Sequence, residues 1–136
     1  MELNYKNIFY NFIEAFIDIK KPDNPLKKFS SEYLNDKSIV LYKNIDKAYL
    51  DYEISSMIIL DSKYFTDDAF LYYFPIIVKN IIENNGFIDA IIIRMKDIKL
   101  NNYSDIQREL IIKMIDTLSE LKIKMEENQE DFILII

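Results

Sequence analysis

The chain has 136 residues, half of them hydrophobic, with one glycine, no cysteine, no histidine and a formal net charge of −6. Lacking Cys and His, it has no means of building a zinc knuckle, a thiolate nucleophile, a Ser-His-Asp triad or an imidazole base. A lone glycine cannot form a Walker loop or a dinucleotide fingerprint, since both need several to bring backbone N–H groups onto phosphate. The length predicts one domain, and an aromatic content of 14% supplies apolar mass for a core without disulfides. Negative charge argues against nucleic acid and anionic lipid as ligands, and it allows either a soluble protein kept monomeric by self-repulsion or an acidic surface matched to a basic protein partner. The opening Met1-Glu2-Leu3-Asn4-Tyr5-Lys6 lacks the basic start and apolar core of a signal peptide. No apolar run approaches the ~18 residues of a membrane span. Missing cysteines fit a reducing compartment, so a cytoplasmic location is expected.

A first helix is predicted from Asn4, as its N-cap, to about Lys20. Ile8, Phe9, Phe12, Ile13 and Phe16 give its apolar face, and Pro22 and Pro25 lie beyond its end. Residues 21 to 44 are the least regular part, with a single turn around Ser31–Asn35. Ile39-Val40-Leu41-Tyr42 reads as a strand or a buried connector. A second helix is expected from Asn44 to Leu60, turning Ile45, Tyr49, Tyr52 or Glu53, Met57 and Leu60 inward, with Ile54 and Ile58 beside that stripe. Asp46, Lys47, Asp51 and Glu53 occupy its other side.

The stretch from Phe65 to Phe87 is the best specified. Thr66 can cap a helix whose first turn holds Asp67 and Asp68, where the helix dipole favours carboxylates. Phe65 and Phe70 are spaced as a hydrophobic staple. Asn84-Asn85-Gly86 reads as a left-handed C-terminal cap, with Phe87 placed against Ile82. Pro75 either kinks this helix or splits it in two. Residues 88 to 98 fit a helix, while 90 to 94 also suit a buried strand. Ser104 and Gln107 form a capping box for a long last helix. Its predicted buried face is Ile106, Leu110, Ile111, Met114, Leu118, Leu121 and Met125, with Glu109–Lys113 and Glu120–Lys124 as i,i+4 pairs. The apolar tail Phe132–Ile136 is expected to pack as a strand or short helix.

Three acidic clusters invite a chemical reading, and each has a plainer one. Asp67 and Asp68 complement a helix dipole. The run Glu126, Glu127, Glu130, Asp131 lacks the glycine-bearing ligand loop of a calcium site. Asp105, Glu109, Asp116 and Glu120 form a carboxylate face with lysine neighbours, and without histidine it cannot be a ferritin-like di-iron site. No catalytic residue, metal ligand or cofactor is therefore assigned. Tyrosines crowd the middle of the chain, and at least one of the adjacent Tyr72 and Tyr73 is expected to be semi-exposed. Tyrosine offers rigid contact area with a polar handle, which suits protein recognition.

The run Tyr64-Phe65-Thr66-Asp67-Asp68-Ala69-Phe70-Leu71-Tyr72-Tyr73-Phe74-Pro75 resembles the "fLTpEaFrYYLPa" signature of a small bacterial family of unknown function. Ser104-Asp105-Ile106-Gln107-Arg108-Glu109 is similar to that family's later "T-x-x-Q-R" helix start, and Ala15-Phe16…Pro22 to its "AF…P" opening. The family's Gly and Trp before the second helix have no counterpart at Leu41-Tyr42-Lys43. This resemblance implies a mostly helical fold and supplies no catalytic residues.

The expected architecture is a single, predominantly α-helical domain of five to six helices, with a short strand pair drawn from 39–42, 89–94 or 132–136. The expected function is that of a non-enzymatic acidic binding protein of the immunity or inhibitor type, neutralising a basic protein such as a toxin. Its partner-binding candidates are Asp46, Asp51, Glu53, Asp67, Asp68, Tyr72 and Tyr73. The alternative is an accessory or scaffold protein acting as a homodimer through an apolar patch near the C-terminal tail.

Overall fold

The structure, a computed structural model, describes residues 2–45, 52–77, 80, 87–127 and 133–135. It is predominantly helical. Strand β1 (Glu2–Asn4) leads into α1 (Lys6–Ala15), α2 (Asp36–Asn44), α3 (Tyr52–Leu60) and α4 (Asp67–Tyr72). Helices α5 (Ile88–Lys96) and α6 (Asp105–Glu127) follow, and β2 (Ile133–Ile135) closes the order. Short 3-10 turns at Ser30–Glu32, Ser62–Tyr64 and Leu100–Asn102 join them. Helix α6 is the central rod, with α1 and α5 packed along it.

The ends of the chain meet. β1 and β2 pair in parallel, with Glu2 opposite Ile133, Leu3 opposite Leu134 and Asn4 opposite Ile135. Of the two forms open to the apolar tail, strand or short helix, Ile133–Ile135 takes the strand, and its partner is Glu2–Asn4. Asn4 belongs to that ladder, which is why it does not cap α1; Tyr5 holds the cap position without a side-chain bond. Helix α1 also stops earlier than predicted, at Ala15. Beyond it the backbone tightens into i→i−3 bonds, Phe16 N–H to Ile13 O and Ile17 N–H to Glu14 O.

Two ambiguous segments resolve as helix. Residues 39–42 lie inside α2, where the Asn35 side chain accepts from Ser38 N–H at 2.8 Å and so starts the helix. Residues 89–94 lie inside α5. The predicted second helix does not begin at Asn44: α2 ends there, and Ile45 is extended with ψ 136°. In α3 the inward face is also rotated from the one predicted. Ser55, Ile58 and Ile59 are buried, whereas Leu60 is 53% exposed.

Thr66 caps α4 as predicted, its Oγ1 accepting from Ala69 N–H at 3.2 Å. Pro75 splits the helix rather than kinking it. Tyr73 ends α4, residues 74–77 form a new helical turn, and the Tyr73 carbonyl accepts from both Ile76 and Ile77 N–H. Proline at the second position of that turn removes an N–H that would have had no helical partner. The predicted cap at Gly86 and its Phe87–Ile82 contact lie outside the described residues. Among those described, the left-handed residue is Phe87 itself, at φ 63°.

The core is aromatic at its centre. Phe12 meets Phe16 at 4.8 Å and Phe74 at 4.5 Å between ring centroids, while Phe65 meets Tyr42 at 4.9 Å and Tyr73 at 5.7 Å. Tilted pairs of this kind add about 0.5–1.5 kcal/mol each beyond the area they bury. Tyr73 donates its hydroxyl to the Tyr42 carbonyl at 2.9 Å, and Tyr42 donates to Asp61 Oδ2 at 2.5 Å. Both Tyr72 and Tyr73 are buried, which corrects the expectation that one is semi-exposed. Their rings meet edge-on at 5.2 Å, so the two adjacent side chains pack into one aromatic cluster.

Candidate functional site

The most heavily engaged polar residue is Arg94, an arginine set in the apolar run of α5 and only 2% exposed. It lies three residues after Ile91, on the helix face that enters the core. Its Nε donates to Ser62 O at 2.8 Å, and Nη2 donates to Phe65 O at 3.0 Å and to Asp67 Oδ1 at 2.6 Å. The guanidinium also lies 5.2 Å from the centroid of the Phe70 ring. A planar fork of donors is what lets one side chain bind two carbonyls and a carboxylate at once. Arg94 Nη1 is buried and has no acceptor among the described residues.

That arrangement occupies the expected acidic pair. Asp67 receives Arg94 on one oxygen and Lys99 N–H on the other, at 3.0 Å. Asp68 Oδ1 accepts from the Tyr103 hydroxyl at 2.7 Å. Burial, and then the Asp68 hydrogen bond, hold the Tyr103 phenol well above its ordinary value. Asp67 and Asp68 line a groove of about 740 Å³ together with Lys27, Lys99, Asn102 and Tyr103. Their carboxylates serve mainly to fasten α4 to the chain following α5.

The remaining predicted residues are scattered. Glu53 is exposed on α3. Asp46 and Asp51 lie outside the described residues. Tyr72 and Tyr73 sit in the core, so the structure does not bring the seven candidates together on one surface.

A different acidic face is visible on α6. Asp105, Glu109, Ile112, Asp116, Glu120, Ile123 and Glu127 recur at three-to-four spacing, and all seven are exposed. At 1.5 Å rise per residue the stripe runs for about 33 Å. Asp105 pairs with Arg108, and Glu120 pairs with Lys124 at 2.8 Å. Glu109, Asp116 and Glu127 carry no ion pair among the described residues. Ile112 and Ile123 are 49% and 54% exposed, and Ile106, predicted to be buried, is 69% exposed. Ile106 lies inside the capping box, one residue before Gln107; Gln107 turns inward to donate to Ala15 O at 3.0 Å, leaving Ile106 on the outer side. The sequence carries this stripe in plain view, but the exposure of its isoleucines is a tertiary fact.

Across the domain, α3, the Ser62–Tyr64 turn and α5 enclose an apolar groove of about 430 Å³. Leu60 and Ile93 stand exposed on its walls. No group of three or more metal-ligating side chains occurs among the described residues, and none of their helices is long and apolar enough to cross a membrane. Comparison with protein-family models, with curated proteins and with solved structures finds no match.

Proposed function

We propose that this chain is a non-catalytic acidic binding protein of the immunity or inhibitor type, and that the outer face of α6 receives a basic segment of its protein partner. The observation that supports this is the exposed stripe from Asp105 to Glu127, which interleaves carboxylates with Ile112 and Ile123. Charge alone gives fast and selective encounter, whereas apolar anchors give the complex its lifetime. A helix or strand with lysines or arginines flanking one or two apolar residues complements both. The net charge of −6 adds steering toward such a partner. A homodimeric scaffold would use the apolar tail as its interface, and the backbone of Ile133–Ile135 is already paired with Glu2–Asn4.

The test is association with basic proteins encoded beside this chain's gene, measured by calorimetry at low and moderate salt. Glu109→Lys with Asp116→Lys is expected to weaken binding at least about tenfold, with most of the loss at low salt. Ile112→Asp is expected to shorten the lifetime of the complex. Binding unchanged by all three substitutions, or no binding to any such protein, removes the proposal.

A further inference from the structure

The groove between α3 and α5 differs from the acidic stripe in both shape and charge. Its walls are Ile59, Leu60, Ala90 and Ile93, and two lysines, Lys63 and Lys96, stand at its edge. Both lysines are exposed. Lys63 lies over the Tyr64 ring at 5.1 Å, and Lys96 has no ion pair among the described residues. The acid on this rim, Asp97, faces Lys27 at 3.7 Å. Arg94 also lines the groove, but its guanidinium is buried and turned to Ser62 O, Phe65 O and Asp67, so the accessible cations are the two lysines.

The geometry points to a binding site for a medium-chain fatty carboxylate, its chain lying along Leu60 and Ile93 and its carboxylate held by the exposed Lys63 and Lys96. Three observations converge on that class. The walls are apolar and two large side chains on them are uncovered, which a hydrocarbon chain would shield. The volume lies in the small-molecule range, roughly 300–1,000 Å³. Finally, the positive edge sits on a protein of net charge −6, so it selects an anionic head group locally. This site is independent of the α6 face and does not require the protein-partner reading.

The experiment titrates the full chain with hexanoate, octanoate and decanoate below their micelle concentrations, followed by calorimetry and by amide chemical shifts of α3 and α5. Saturable one-to-one binding is expected, tightening about fourfold for each added methylene. Ile93→Asp, at an exposed position that leaves the core intact, is expected to abolish it. Lys63→Glu with Lys96→Glu is expected to weaken it at least about tenfold, and decyltrimethylammonium is expected not to bind. Three results overturn the proposal. One is equal binding of the cationic amphiphile, another is binding unaffected by Ile93→Asp. The third is self-association that Ile93→Asp abolishes in the absence of any carboxylate binding, which would assign the groove to a second copy of the chain.

Discussion

Gln107 donates its side-chain amide to the carbonyl of Ala15, the last residue of α1, across 92 residues of sequence. The same side chain accepts from Ser104 N–H at 3.1 Å, while Ser104 Oγ accepts from Gln107 N–H at 3.2 Å. One residue therefore starts α6 and finishes α1. Glu at this position can keep the capping box and cannot donate to Ala15. Gln107→Glu is expected to lose about 1 kcal/mol in urea denaturation, and Gln107→Ala about twice that, because both bonds go.

Arg94 makes the largest single claim on stability. Truncating it leaves the Asp67 carboxylate and the carbonyls of Ser62 and Phe65 with lost partners in a buried setting. Arg94→Ala is expected to cost about 3–5 kcal/mol, a large share of the stability of a small domain. Arg94→Met with Asp67→Asn is expected to cost less than the sum of the two single substitutions by about 1 kcal/mol or more. Additive losses in the denaturation midpoint would show that the two residues do not act as a pair.

Alkaline pH should weaken the fold. Burial, reinforced by Asp61, raises the Tyr42 phenol above its ordinary 10.0, and burial with Asp68 raises Tyr103. The folded state thus holds these protons more tightly than the unfolded chain does. Their contribution is fully present below pH 10 and is lost as pH rises beyond it. Denaturation midpoints measured from pH 8 to 11.5 are expected to fall above pH 10. Tyr42→Phe with Tyr103→Phe should start lower at pH 8 and show a flatter alkaline limb.

Phe87 occupies the left-handed region at φ 63° and ψ 20°. A side chain with a Cβ pays about 1 kcal/mol or more there, and glycine does not. Phe87→Gly is therefore expected to be about 1 kcal/mol more stable than Phe87→Ala, the reverse of the usual order beside a helix. Equal midpoints for the two variants would place the strain elsewhere.

Pro75 is expected to be nearly neutral. Ile76 and Ile77 already bond to Tyr73 O, and the missing N–H falls in a first turn. Pro75→Ala should change stability by about 0.5 kcal/mol or less, against the ~3 kcal/mol of a proline inside a continuous helix.

Local signals in the sequence held where the chemistry was local. The Thr66 cap and the Ser104–Gln107 box form as read, because a hydroxyl three residues before an N–H needs nothing else. The Glu120–Lys124 pair forms for the same reason. Residues 39–42 and 89–94 could not be read, since short apolar runs satisfy both periods and only Asn35 and the contact of α5 with α6 decide them. Arg94 was invisible for a deeper reason. Its partners are two carbonyls and a carboxylate 27 to 32 residues away, and no pattern in α5 announces them. The partners that hold Asp67 and Asp68, Lys99 and Tyr103, are equally remote in sequence.

The parallel pairing of Glu2–Asn4 with Ile133–Ile135 has a mechanical consequence. When the two termini are drawn apart, strands that run in the same direction slide past each other instead of peeling. Their rungs must then give way together. The first resistance met by a pulling force therefore belongs to this short ladder, ahead of any helix in the interior.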